Sequence, residues 1–442
     1  MAIFRSDTGV VEGGVETTFG TLSSNLARWF QLMSLPDRTG LKQVYHPADK
    51  LRTGNHMLPG VLGHKSESTI PAETFLRGYT DSAVTKHPVL GAALLNGSGD
   101  ELMEIVALAQ ALGQIYVSGS NNTFATVLNI ADDGAPADPT TTAFYIATGE
   151  GDNYEVGQDI AIDISTTGFE ARRILTITDG GAAEDLITVE FPFSVAPARL
   201  KPVATGITIF PTEQPQIESL SMTVQGEDFD GVSYWKTRIL GMCANAMGMA
   251  WDARGFIKAN IDYDVADWER HAEASGPTYS ADTGPERQPL MGAKFTFYTA
   301  GAPVCMDCSQ MEFDAGLSML RPLTPCGDTQ GVKASRFGLH EPVFTVDPYK
   351  EVEGTWMDSL APFRAATGVH FNFLGGDTLG SMVSFSVSNG HVTDDPVLGD
   401  RDGMLINPLQ ITPMVYTGDG TPALDERNNT TPKGAPWTIT FF

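Results

Sequence analysis

The stretch GFIKANIDYDVADWE, residues 255–269, sets Ile257, Ala259, Ile261, Tyr263 and Val265 in alternation with Lys258, Asn260, Asp262 and Asp264. A period of two marks a β-strand with one dry face and one wet face. A helix would gather its apolar residues three and four positions apart instead. The wet face holds two acids and one base, with neither a nucleophile nor a histidine among them. The strand argues for a β fold and raises the question of what an acidic, water-facing strand is for.

The same texture extends outward on both sides. IESLSMTVQGEDFDGVSYWKTRILGMCANAMGMAWDARG (217–255) reads as two strands and a partly apolar connection, and the theme repeats in PVCMDCSQMEFDAGLSMLRP, GVHFNFLGG, SMVSFSVSNGHV and APWTITFF. Upstream, ESTIPAETFLRGYTDS has strand composition, and DELMEIVALAQALG predicts the clearest helix. Its Leu102, Ile105, Val106, Ala109 and Leu112 share one face, and Ser98 with Glu101 has capping-box spacing. Between 114 and 215, runs such as TAFYIATGEGDNYEVGQDIAIDIS, RRILTITDGG and DLITVEFPF are split by Gly and Asp turns, as in a small antiparallel barrel or sandwich. The expectation is a mainly β chain in three parts. Residues 1–113 hold an N-terminal arm, a loop and the first part of the main domain with its helix; 114–215 form an inserted small β domain; 216–442 complete the main domain.

Charge narrows the function. The 442 residues hold 28 Lys+Arg against 54 Asp+Glu, a formal net charge of -26, which opposes affinity for nucleic-acid phosphates. The insertion has fourteen acids against four bases, so it reads as a solvent-exposed module that does not bind polyanions. A basic exception lies in VYHPADKLRTGNHMLPGVLGHK (44–65), where Lys50, Arg52 and Lys65, with Lys42 just ahead, are interspersed with His46, His56 and His64. It reads equally as a solvated loop and as an arm that needs an acidic surface to lie on. No 18-residue apolar run exists and the start lacks a signal-peptide layout, from which a soluble protein made in a cytosol is expected. Four cysteines, Cys243, Cys305, Cys308 and Cys326, are too few to staple such a chain.

Motifs for chemistry are sparse. G-x-S-x-G, the G-x-x-x-x-G-K-[ST] phosphate loop and H-E-x-x-H are absent. Cys305-Met-Asp-Cys308 has half the spacing of a zinc site, but no second pair follows, so free thiols fit better than a metal. GEDFDG (226–231), GDRDG (399–403) and TGDGTPALDE (417–426) do not match a calcium loop and read as turns. Met242, Met247 and Met249 around Trp251 read as core or subunit contact. No cofactor is expected.

The order of features from Ile217 onward resembles the major tail tube proteins of long-tailed bacteriophages. It is carried by IESLSMTVQGEDFDGVSYWKTRILGMCANAMGMAWDARGFIKANIDYDVADWERH, by GAPVCMDCSQMEFDAGLSMLRPL, and by a closing region from EVEGTWMDSLAPFRAATGVHFNFLGG to the final WTITFF. It covers roughly 215–442 and extends over 1–112, while 114–215 has no counterpart in a minimal tube subunit. The resemblance implies a β-sandwich with a flanking helix, six copies per ring, and rings stacked into a DNA conduit. It implies a structural virion protein, assembled in the host cytoplasm, whose partners are itself and the tape measure, terminator and baseplate proteins. No enzyme activity, membrane partner or specific DNA binding is expected. The rival readings are a terminator or connector ring and a host-surface carbohydrate-binding protein. Within this frame Lys258, Asn260, Asp262 and Asp264 are a candidate lumen face, though an ordinary solvent face fits equally well. Lys42, His46, Lys50, Arg52, His56 and Lys65 are a candidate inter-ring arm, and the insertion is expected on the tube's outside.

Overall fold

The computed structural model describes residues 10–24, 26–29, 42–47, 60–66, 68–76, 103–117, 126–127, 138–164, 168–181, 184–199, 201–204, 206–211, 219–227, 234–252, 256–273, 294–298, 304–320, 336–337, 340–349, 364, 366, 368–377, 382–394, 398–401, 403–414, 416, 418 and 431–442. The chain is mainly β, with large antiparallel sheets and one described helix. The first unit opens with β1 (Val10–Val15), β2 (Ala27–Arg28), β3 (Lys42–Pro47), β4 (Gly60–Ser66), β5 (Ser68–Phe75), helix α1 (Met103–Leu112) and β6 (Gln114–Val117). An inserted sheet follows, from β7 (Thr126–Val127), β8 (Ala143–Ile146), β9 (Asp159–Asp163), β10 (Phe169–Thr178), β11 (Asp185–Val189) and β12 (Pro202–Ala204). The unit is completed by β13 (Ile207–Phe210), β14 (Leu220–Glu227), β15 (Tyr234–Asp252), β16 (Lys258–Val265) and β17 (Asp267–Glu273).

The second unit begins with β18 (Lys294–Tyr298), β19 (Val304–Met306), β20 (Cys308–Asp314), β21 (Met319–Leu320), β22 (Arg336–Phe337) and β23 (Val343–Pro348). It ends with β24 (Val369–Gly375), β25 (Val383–Val392), β26 (Gly399–Arg401), β27 (Met404–Ile406), β28 (Leu409–Pro413) and β29 (Trp437–Phe441).

The two units share one wiring. In the first, β1 pairs with β2 and β14, β14 with β15, β15 with β16 and β17, and β16 with β5. In the second, β18 pairs with β19 and β24, β24 with β25, β25 with β28 and β29, and β28 with β23, all antiparallel as before. Even a bulge recurs. The register slips between Leu220↔Met242 and Met222↔Ile239, and in the same sense between Val369↔Gly390 and Phe371↔Val387. A free-standing two-stranded hairpin precedes β5 and β23 alike, β3–β4 in one and β21–β22 in the other. The fold is thus an internal duplication, with the inserted sheet present only in the first unit.

The units fuse edge to edge: β20 of the second pairs on one side with β15 and on the other with β23. One sheet therefore runs β5, β16, β15, β20, β23, β28 to the end of β25. Its dry face joins a core drawn from both units, in which Phe313, Phe344, Phe371 and Trp437 meet ring to ring at centroid distances of 4.5 to 5.4 Å. Burying each such ring stabilises the fold by about 2–3 kcal/mol.

Strand β15 is 19 residues long because it serves two sheets, pairing with β14 and β17 in its first half and with β16 and β20 in its second. It changes sheets at Gly241, whose φ of +64° suits glycine and where a Cβ would stand 2.6 Å from that of Ala266. The bend frees backbone donors that must be satisfied inside the protein. Gly241 N donates to Glu16 Oε1 at 2.8 Å, and Ala244 N to Gln110 Oε1 of α1 at 2.9 Å. Helix α1, read from the sequence as buried along one face, is buried at every position whose side chain is described, and it packs against β1, β6, β13 and β15. Its capping-box residues Ser98 and Glu101, and Leu102, lie outside the described residues.

The inserted sheet has its own core, including Phe144, Ile146, Ile160, Ile174, Ile187 and Phe193. It is not a freely solvated module, however. Alternation in β25 puts Ser384, Ser386 and Ser388 on the face opposite Val383, Phe385 and Val387, and all six are buried. The insertion covers the serine face. Ala161, Ala171 and Ala204 approach closely enough to pack on Leu374, Met382 and Phe442, and Phe191 stacks on Tyr298 at 5.7 Å.

Polar groups complete this seam. Arg173 donates through Nη1 to Ser388 Oγ (2.8 Å) and Ala435 O (2.6 Å), and through Nη2 to Pro432 O (3.0 Å). Ser384 Oγ donates to Asp159 Oδ2 (2.8 Å) and Ser388 Oγ to Glu190 Oε2 (2.7 Å). Burial raises the Asp159 carboxyl to about 6 against the pull of the Ser384 and Ser386 hydroxyls and of Arg173. Arg172 is also buried, paired with Glu170 at 2.9 Å and lying 4.9 Å over the Phe191 ring. Two of the insertion's four bases are therefore withdrawn from its surface, together with the acids Asp159, Glu170 and Asp185.

Candidate functional site: an acidic sheet face

The wet face of the sheet from β5 to β28 gathers acids from four strands. In β16, Ala259, Ile261, Tyr263 and Val265 are buried, while Asn260 and Asp262 are exposed and Lys258 and Asp264 half-buried. The structure brings the four candidate lumen residues onto one water-facing row. Pairing Asp264↔Thr69 and Lys258↔Phe75 sets β5 on one flank, with Glu73 beside the row; Asp262↔Ala246 and Asn260↔Gly248 set β15 on the other. Beyond β15, β20 turns Gln310, Glu312 and Asp314 outward, and β23 adds Thr345 and Asp347.

Small side chains shape this face. The outward positions of β15 are Ala246, Gly248 and Ala250, so a trough of about 590 Å³ runs between the Asn260–Asp262 row and the wall formed by Glu312, Asp314, Thr345 and Gln410. Among the described residues, the two cations beside this face are already engaged: Lys258 Nζ lies 3.1 Å from Glu73 Oε1, and Arg401 Nη1 lies 3.3 Å from Asp347 Oδ2 and also bonds Gln310. Burial raises the Asp347 carboxyl, and Arg401 opposes that shift. Asp264 accepts from Thr69 Oγ1 (3.2 Å) and Asn245 Nδ2 (3.4 Å). Asp262, Glu312 and Asp314 pair with no cation among the described residues. Among the described residues six acids thus face two bases, and the sequence had pointed only to the β16 share. The contributions of β5, β20 and β23 required knowing which strands lie side by side.

The candidate arm is partly described. Lys42 and His46 lie in β3 and Lys65 in β4, two strands that pair only with each other among the described residues, while Lys50, Arg52 and His56 lie outside those residues. The hairpin leads into β5, the flank of the acidic sheet.

Cys305 is exposed at β19 and Cys308 buried at the start of β20; burial pushes both thiols upward, away from reactive thiolate. Cys326 lies outside the described residues. Among the described residues, no three His, Cys, Asp or Glu side chains converge as metal ligands do, and no helix is long and apolar enough to cross a membrane. Of GDRDG, Gly399–Arg401 form β26, which pairs with β27, and Gly403 N donates to Asp400 Oδ1 at 3.2 Å. Compared with protein-family models and with curated proteins, the chain matches none.

Proposed function

We propose that this chain is a structural subunit of a phage tail tube, and that its copies close into rings that stack around a conduit for DNA. The observation that carries this reading is the continuous sheet from β5 to β25, acidic on its water-facing side and built on one apolar core. A wall of this kind repels phosphate and lets DNA pass without binding it. The wiring further supports it: an edge strand needs a partner, and joining copies around a ring removes that liability. The β3–β4 hairpin is the inter-ring arm, a basic projection suited to an acidic neighbour, and the inserted sheet decorates the outside. The tube's partners are tape measure, terminator and baseplate proteins, and its place is the virion.

Negative-stain electron microscopy of the purified protein over a range of concentration and salt tests the reading. Hollow tubes with a regular axial repeat are expected. Closed rings that never stack would instead favour a connector.

A further inference from the structure

The internal duplication specifies how one copy meets the next, on the tube reading just proposed. Within the chain the first unit offers β15 near the tip of its β15–β16 hairpin, and β20 pairs there, Gly248↔Asp314 through Asp252↔Gln310. The second unit builds the equivalent hairpin from β25–β26 and β27–β28, with β26 pairing β27 (Gly399↔Ile406 to Arg401↔Met404). Tyr349, just past β23, bridges Ile406, as β5 flanks β16 in the first unit. The opposite edge of β26 corresponds to the edge of β15 that β20 fills, and among the described residues no strand pairs with it.

A second observation falls on the same hairpin. Leu398, Met404, Leu405 and Met414 are four of the six large hydrophobic side chains exposed among the described residues. Clustered exposed apolar groups mark an interaction surface. At the other end of the sheet, β5 pairs with β16 by one edge, and no strand pairs with its second edge among the described residues. In the second unit, β20 lies between β23 and the first unit. The same sequence position in the first unit, just ahead of its hairpin, falls at residues 30–41, outside the described residues.

We infer that a second copy of this chain docks the β5 side of its first unit against the β26 edge and the Leu398–Met404–Leu405 patch, repeating between chains the junction already present within one. Such a contact is head to tail, and it closes a ring when the rotation allows. Each chain supplies two tube units, so three chains complete a sixfold ring, where the family resemblance taken at face value implied six. Three chains of 47.4 kDa weigh about 142 kDa, and six weigh about 284 kDa.

Native mass spectrometry with electron microscopy of the same sample, for the wild type and for the double variant M404K/L405K, tests this. A 142 kDa ring is expected for the wild type. The variant, whose changes are on exposed positions, should keep the wild-type thermal midpoint and associate about a hundredfold more weakly. Hydrogen exchange at residues 398–401 should slow on assembly of the wild type, a readout that does not depend on the variant folding. Rings of six chains, an assembly that tolerates M404K/L405K, unprotected 398–401 amides in the ring, or a wild type that stays monomeric at every concentration would each overturn the inference. Three-chain rings that do not stack would leave it standing while refuting the tube, and tubes with six chains per ring would do the reverse.

Discussion

Replacing Arg173 by methionine tests whether the inserted sheet is fastened to the body or merely tethered to it. The guanidinium makes three hydrogen bonds of 2.6 to 3.0 Å to Ser388, Ala435 and Pro432, all across the seam, and it counters the buried Asp159. Methionine fills much of the same volume but leaves two carbonyls without that donor and a buried carboxyl without its cation. Breaking a buried ionic network from one side costs about 3–5 kcal/mol, whereas removing Arg199, half-exposed and paired with the exposed Asp138, should cost less than about 1 kcal/mol. Urea unfolding followed by tryptophan fluorescence measures both, since Trp437 is buried in β29 beside the seam strand β25. Limited proteolysis should show the insertion cleaved sooner in Arg173→Met than in Arg199→Met. An Arg173→Met protein within about 1 kcal/mol of wild type, with an equally resistant insertion, would refute the fastening.

Burial raises Glu16 to about 7 and Asp159 to about 6, above their ordinary carboxylate values. The folded state thus binds protons that the unfolded chain releases. Their stabilising effect is full below pH about 4 and lost as pH rises through about 6 to 7, each contributing about 3 kcal/mol; pH-dependent urea titrations should show this slope flattened in Glu16→Gln and Asp159→Asn. The Tyr263 hydroxyl is fully buried without a hydrogen-bond partner among the described residues, so Tyr263→Phe should leave stability unchanged or raise it by about 1 kcal/mol, and a loss above that in the same assay would contradict the placement. Asp262→Lys, Glu312→Lys and Asp314→Lys together turn a face of six acids and two bases into one of three acids and five bases. Assembled protein carrying all three should retain duplex DNA at low salt and release it steeply as salt rises, while the wild type retains none.

Residues 255–269 revealed their strand because Ile257, Ala259, Ile261, Tyr263 and Val265 all face a core, and alternation survives wherever one face is wet. In β25 the pattern is as clean, but Ser384, Ser386 and Ser388 are covered by the insertion, so their polarity marks a seam where it would ordinarily mark solvent. The insertion as a whole read as a solvent-exposed module from its charge count, yet Arg172 and Arg173, two of the four bases counted, are buried. The duplication is faint in the sequence because pairing conserves only residue class. Leu220 and Val369, Met222 and Phe371, Ile239 and Val387 take equivalent places in the two bulges with different side chains, and the insertion breaks the spacing besides. Of the acidic face, only the β16 row could be read in advance, since which strands flank it depends on pairings between residues far apart in the chain.

Cryo-electron microscopy of the assembled wild-type protein tests the central claim most directly. The account predicts a hollow tube whose bore is lined by the Lys258, Asn260, Asp262 and Asp264 row together with Glu312 and Asp314, with the inserted sheet outside. A tube that turns this face outward, or one whose bore is lined by the inserted sheet, would contradict it.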